Sequence, residues 1–163
     1  MRERGSTNTR TAKLPAVSAL DAHLGYWLRF VSNHVSGRFR RQVEERGVTV
    51  SEWVALRAIY ASDEATAGEL VDTLGMTKGA VSKLLDRLER KRLARRLVDP
   101  DDARGRRLAL TDAGRALVPR LAALADENDA HFFGGLPLAQ RRALDDTLRV
   151  LVKMHALTLV PTE

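Results

Sequence analysis

One break in an otherwise helical rhythm constrains this chain more than any other feature. Apolar residues recur every third or fourth position from Leu20 to Leu88, and again from Leu117 to Leu151. That spacing lines one face of a helix. Between the two stretches, Ala94–Val98 and Arg107–Thr111 read as short strands around a charged turn, Asp99-Pro100-Asp101-Asp102-Ala103-Arg104-Gly105. The expected fold is mainly α with one small β-hairpin.

The helices have legible ends. Leu20, Leu24, Trp27, Leu28, Val31, Val35, Phe39 and Val43 predict one long amphipathic helix over 18–46, closed by Gly47. Thr49 with Glu52, and Thr66 with Glu69, have the spacing of capping boxes. They open a second helix through Trp53, Leu56, Ile59 and Tyr60, and a short third one through Leu70 and Leu74. Gly75 ends the third helix, and Thr77 caps a fourth that buries Val81, Leu84, Leu85 and Leu88. After the hairpin, Thr111 caps a fifth helix through Leu117, Leu121, Leu124 and Phe132. Pro119 inside it lacks a backbone donor, so a kink is expected. Pro137 takes the first position of a sixth helix, which runs through Leu144, Leu148, Leu151 and His155 to about Leu159. Residues 1–17 read as a disordered basic arm.

At 163 residues and 44% hydrophobic, the chain suits a compact globular protein. No apolar run approaches the roughly 20 residues of a membrane span, and no apolar stretch follows the basic N-terminus as in a secretory signal. A soluble cytoplasmic protein is expected. The absence of Cys removes disulfides, thiolate metal sites and cysteine redox chemistry.

Charge is concentrated. Net charge is +6, and residues 77–107 alone hold eleven basic and five acidic side chains. Residues 1–13 add +3, and the rest is slightly acidic. One basic segment and a basic tail form an electrostatic footprint for a polyanion, although a solvated basic helix face gives the same arithmetic.

Two short capped helices around Gly75, followed by the hairpin, have the order of a helix-turn-helix. Burying Val81, Leu84, Leu85 and Leu88 turns Lys78, Gly79, Ser82, Lys83 and Asp86 outward. A helix entering the major groove needs such polar groups near its N-terminal end and little bulk at closest approach, which Gly79 supplies. The hairpin carries Arg95, Arg96, Arg104, Arg106 and Arg107. A short structural hairpin gains nothing from five arginines, whereas the negative potential of a narrow DNA groove draws them in. Asp102 stands two residues before Arg104 and can orient its guanidinium.

The stretches Gly68-Glu69-Leu70, Leu74-Gly75-Met76-Thr77-Lys78-Gly79-Ala80-Val81-Ser82, Asp99-Pro100-Asp101-Asp102-Ala103-Arg104 and Leu108-Ala109-Leu110-Thr111-Asp112-Ala113-Gly114 closely resemble the MarR family of winged helix-turn-helix transcriptional regulators. The resemblance runs from about residue 20 to 160. It implies a repressor that acts as a homodimer, made by the first, fifth and sixth helices, on double-stranded DNA with a pseudo-palindromic operator. The fourth helix would be the recognition helix, Arg104 the wing-tip arginine in the minor groove, and Asp102 its orienting carboxylate. The expected DNA-binding set is Thr77, Lys78, Gly79, Ser82, Lys83, Arg87, Arg95, Asp102, Arg104 and Arg106. Residues 48–111 would form the winged lobe, and 18–47 with 112–160 the dimerisation region. The pattern itself points the same way. The long terminal helices are separated by the whole basic lobe and must bury their apolar faces on each other, as an intramolecular bundle, or on a second chain, symmetric pairing being the commonest solution. Family members often have Gly after the recognition helix where this chain has Arg92; a positive φ there would strain it.

The resemblance further implies release by a small aromatic or anionic effector, bound between the dimer helices and the lobe. Trp27, His34, Trp53 and Arg57 would border that crevice, although two tryptophans at helical spacing also serve as plain core. His23, His34, His131 and His155 have neither HxxxH nor HExxH spacing, so no metal is expected. No phosphate-binding loop, dinucleotide fingerprint, nucleophile elbow or zincin motif is present, which argues against an enzyme and against a cofactor. The alternative is a non-specific architectural nucleic-acid-binding protein, which would track charge and shape rather than sequence.

Overall fold

The computed structural model describes residues 17–97 and 107–158. A short 3-10 turn, Leu20–Ala22, leads into α1 (Leu24–Glu44). The long first helix is therefore shorter than its apolar period suggests, since His23 is extended, at φ −102° and ψ 128°. Gly47 follows at φ 80°, the left-handed conformation that glycine adopts without strain.

Helix α2 (Val50–Ser62) and helix α3 (Ala67–Leu74) both open on complete capping boxes. In each, the threonine hydroxyl accepts the third amide of the helix, and the glutamate returns a bond to the threonine amide. Backbone bonding to Thr66 first, then its hydroxyl, holds the Glu69 carboxyl below its usual value. Gly75, at φ 61°, ends α3, and the Thr77 hydroxyl accepts the Ala80 amide at 3.2 Å to start α4 (Lys78–Arg90).

The hairpin is present as β2 (Ala94–Leu97) and β3 (Arg107–Leu110), paired antiparallel with Ala94 opposite Leu110. A third strand, β1 (Glu64–Thr66), was not expected from the sequence. It adds to the other edge of β3, giving the order β1-β3-β2. With only three residues and no alternation to read, it is recognisable only once β3 lies beside it.

Helix α5 (Asp112–Phe133) begins where predicted, with the Thr111 hydroxyl accepting the Gly114 amide, and Pro119 lies inside it. Pro137 caps α6 (Leu138–Met154) from one position outside, and α6 stops short of Leu159, with Ala156 at φ 48° just beyond it.

The core is centred on residues 48–111 but also takes in Val118, Leu121 and Leu124 of α5. Leu56, Ile59, Leu70, Leu84, Leu88 and Leu108 are fully buried, joined by Val43 from the end of α1 and Leu121 from α5. The N-terminal half of α1 and all of α6 bury nothing. Leu24, Trp27, Phe30 and Val31 on one, and Leu144, Leu148 and Leu151 on the other, remain exposed. No helix of the described residues is long and apolar enough to cross a membrane.

Candidate nucleic-acid interface

The apolar face of α4 packs into the core and sets the direction of the opposite face. Val81, Leu84, Leu85 and Leu88 are buried, while Lys78, Gly79, Ser82 and Lys83 are exposed. Neither Lys78 nor Lys83 makes an ion pair with a described residue. A Cβ added to Gly79 would meet nothing within 4 Å, so no packing inside the chain requires glycine there. The N-terminal half of α4 is a solvent-facing strip of two lysines, a hydroxyl and a bare backbone.

The second half of α4 is tied down. Glu52 on α2 is fully buried, and its carboxylate accepts the Lys91 ammonium at 2.7 Å, the Thr49 amide at 2.8 Å and Arg87 Nε at 3.2 Å. Lys91 also donates to the Gly47 carbonyl at 2.8 Å. Burial pushes the Glu52 carboxyl up, but bonding to Lys91, Thr49 and Arg87 outweighs it and holds the group below its usual value. Arg87, expected among the DNA contacts, is thus engaged within the protein. The capping box found Glu52, but nothing local in the sequence pairs it with side chains 35 and 39 positions away.

The arginines of the hairpin divide. Arg95 on β2 is exposed and makes no ion pair with a described residue. Arg96 instead bonds Asp86 at 2.7 Å and also Glu89, both on α4. Arg107 reaches Glu64 on β1 at 3.2 Å. The expectation that a structural hairpin has no use for its arginines is therefore corrected: Arg96 fastens β2 to α4, and Arg107 bonds across to β1. Asp102, Arg104 and Arg106 lie outside the described residues.

Behind the hairpin, α5 meets the turn that leaves α4. Arg92 does adopt a positive φ, 57°. Its carbonyl accepts the Thr111 hydroxyl at 2.7 Å, and the Leu93 carbonyl accepts the Thr111 amide at 3.1 Å. A Cβ on Gly114 would lie 1.9 Å from the Leu93 oxygen. Thr111 and Gly114 thus serve one joint, the threonine by bonding across it and the glycine by letting the backbones touch.

The four residues expected to border an effector crevice are not gathered. Trp53 is half-buried against Phe39 of α1, with ring centroids 6.5 Å apart, and Arg57 is exposed one turn further along α2. Trp27 lies twelve residues before Phe39, about 18 Å along the helix. It belongs to an exposed aromatic series with Tyr26, Phe30 and His34, and its indole donates to the Asp21 carbonyl. A cavity of about 560 Å³ opens elsewhere, between α5 and α6, with Phe133, Leu144 and Leu148 as its apolar lining and Asp126, Asp129 and Arg141 among its polar groups. Among the described residues, no three His, Asp or Glu side chains gather as a metal site would require.

The comparisons agree with this geometry. Residues 46–105 match the MarR family model. The transcriptional regulator HosA of Escherichia coli is 30% identical over 97 residues, covering 60% of this chain and 72% of HosA. An HTH-type transcriptional repressor of Mycobacterium tuberculosis is 29% identical over 131 residues, covering 80% of this chain and 94% of the relative. Among solved structures, MepR of Staphylococcus aureus in complex with DNA is 26% identical with a TM-score of 0.71, covering 81% of this chain and 98% of MepR. BpsR of Bordetella bronchiseptica is 25% identical with a TM-score of 0.70, covering 83% and 97%. With a helix-turn-helix, a hairpin clamped to its second helix and relatives that match along most of their length, the chain belongs to the MarR family of DNA-binding transcriptional regulators.

Proposed function

We propose that the protein is a homodimeric repressor of a pseudo-palindromic operator, released by a small aromatic or anionic effector. The observation that carries the DNA part is the exposed N-terminal half of α4, where Lys78, Ser82 and Lys83 surround a glycine that packing does not need. Thr77, Lys78, Gly79, Ser82 and Lys83 would meet the major groove, with Arg95 at its edge. Asp102, Arg104 and Arg106 are assigned to the minor groove on the family resemblance alone.

Dimerisation is supported by the exposed apolar residues of α1 and α6, an extent of surface that a lone soluble chain rarely leaves in water. Two recognition helices would then stand about one helical turn of DNA apart, roughly 34 Å. The effector is supported by the likeness to BpsR, whose DNA binding is regulated by 6-hydroxynicotinic acid. Trp53 and Arg57, one turn apart on α2, would offer such a molecule a ring and a cation.

Footprinting on the intergenic DNA beside the protein's own gene tests the reading. A protected pseudo-palindrome supports it. Uniform protection of any duplex would instead favour an architectural role. Tryptophan fluorescence titrated with aromatic acids tests the effector, and Trp53→Phe separates the signal of Trp53 from that of Trp27.

A further inference from the structure

We infer that Glu52 is a specificity-determining residue that withholds two cations of the recognition helix, Arg87 and Lys91, from DNA. The inference rests on the reading of α4 as the DNA-reading helix. Lys83 and Arg87 on α4 and Lys91 at its C-cap follow one another at four-residue steps and form a single row. Of the three, Lys83 alone makes no ion pair with a described residue. Arg87 and Lys91 have side chains 38% and 37% exposed, so each keeps a face in water, yet both cationic heads are drawn back to a carboxylate that is itself 0% exposed.

The consequence is electrostatic. A cation that reaches a phosphate adds affinity for every sequence alike, because it displaces counterions without reading a base. Freeing Arg87 and Lys91 would raise binding to all DNA, while the operator alone gains from Lys83 and Ser82. Holding two of the three widens the margin between operator and bulk DNA. The hold is firm for a physical reason: a buried carboxylate stripped of its partners is costly, so Arg87 and Lys91 do not leave it cheaply when DNA arrives.

Glu52→Gln isolates the charge. Glutamine at this position still completes the capping box with Thr49, so the start of α2 is retained. The measurement is affinity for operator and for unrelated duplex across a salt series, using the full chain, with circular dichroism melting to confirm folding. Glu52→Gln should bind unrelated duplex roughly three- to tenfold more tightly at low salt, and its salt dependence should steepen by about one to two phosphate contacts. The operator preference should fall. Arg87→Gln leaves Lys91 on Glu52 and creates no orphaned charge; its salt slope should equal that of wild type. Lys83→Gln should weaken operator binding more than binding to unrelated duplex.

A Glu52→Gln protein with an unchanged slope overturns the inference. So does Arg87→Gln with a slope shallower by about one contact, since Arg87 would then already sit on a phosphate. This second result decides the question even if Glu52→Gln fails to fold. If the wild type shows no operator preference and Lys83→Gln changes nothing, the assignment of α4 fails and the inference falls with it.

Discussion

Glu52 and Gly114 show how much a single position decides here. The Glu52 carboxyl titrates below the usual carboxylate value of 4.5 in the folded chain, so the unfolded chain binds its proton first. Its contribution to stability is therefore complete above that value and is lost as pH falls through the lower, folded value. Urea midpoints measured from pH 7 to pH 3 should drop for wild type below about pH 4.5. Glu52→Gln should drop less over the same interval, and parallel curves would show that Glu52 carries no such linkage. Gly114 is constrained by space instead. The methyl of Gly114→Ala would have to displace the Leu93 carbonyl, 1.9 Å away, or shift the start of α5. A loss of about 1–3 kcal/mol by urea unfolding is expected, as for other overpacked sites; an unchanged midpoint would mean the joint is slack.

Among the elements, those with strong local signals were legible before any coordinates. Thr49, Thr66, Thr77 and Thr111 each cap the helix they were expected to cap, because a hydroxyl three residues before an amide is a local fact. Strand β1 and the pairing of Arg96 with α4 were not legible. Both depend on segments that meet only after folding, and charge alone does not distinguish an arginine bound for DNA from one bound to a neighbouring helix. The distance between Trp27 and Trp53 within one chain was not legible either. Helical spacing places Trp27 and Trp53 on apolar faces but says nothing of which part of α1 meets α2. The Arg96 clamp makes a prediction of its own. Arg96→Gln removes the ion pairs to Asp86 and Glu89, so amides of β2 and β3 should exchange with solvent faster than in wild type, while those of α3 stay as they were. Equal protection throughout would show that the strand pairing alone positions the hairpin.

For the whole molecule, the division between a packed lobe and bare terminal helices is the organising fact. Asn128, buried on α5, bonds the Val35 carbonyl and accepts Arg38, fixing α1 against α5 within the protomer. Among the described residues no comparable side-chain bond ties α6 to the rest of the chain, and its Leu144, Leu148 and Leu151 are each 38–39% exposed. Leu148→Asp with Leu151→Asp should therefore spare the melting of the lobe, shift sedimentation to the monomer and weaken operator binding at least tenfold. A double variant that sediments as a dimer would place the partner surface elsewhere.

Those wet leucines also bear on dosage. On the proposed dimer, a chain with an exposed α6 depends on meeting another copy, and while chains are scarce the number of pairs grows as the square of their concentration. Occupancy of a site that takes only pairs then rises steeply rather than in proportion. Halving synthesis would then cut occupancy of the site by more than half, so the cell would read such a regulator as a threshold.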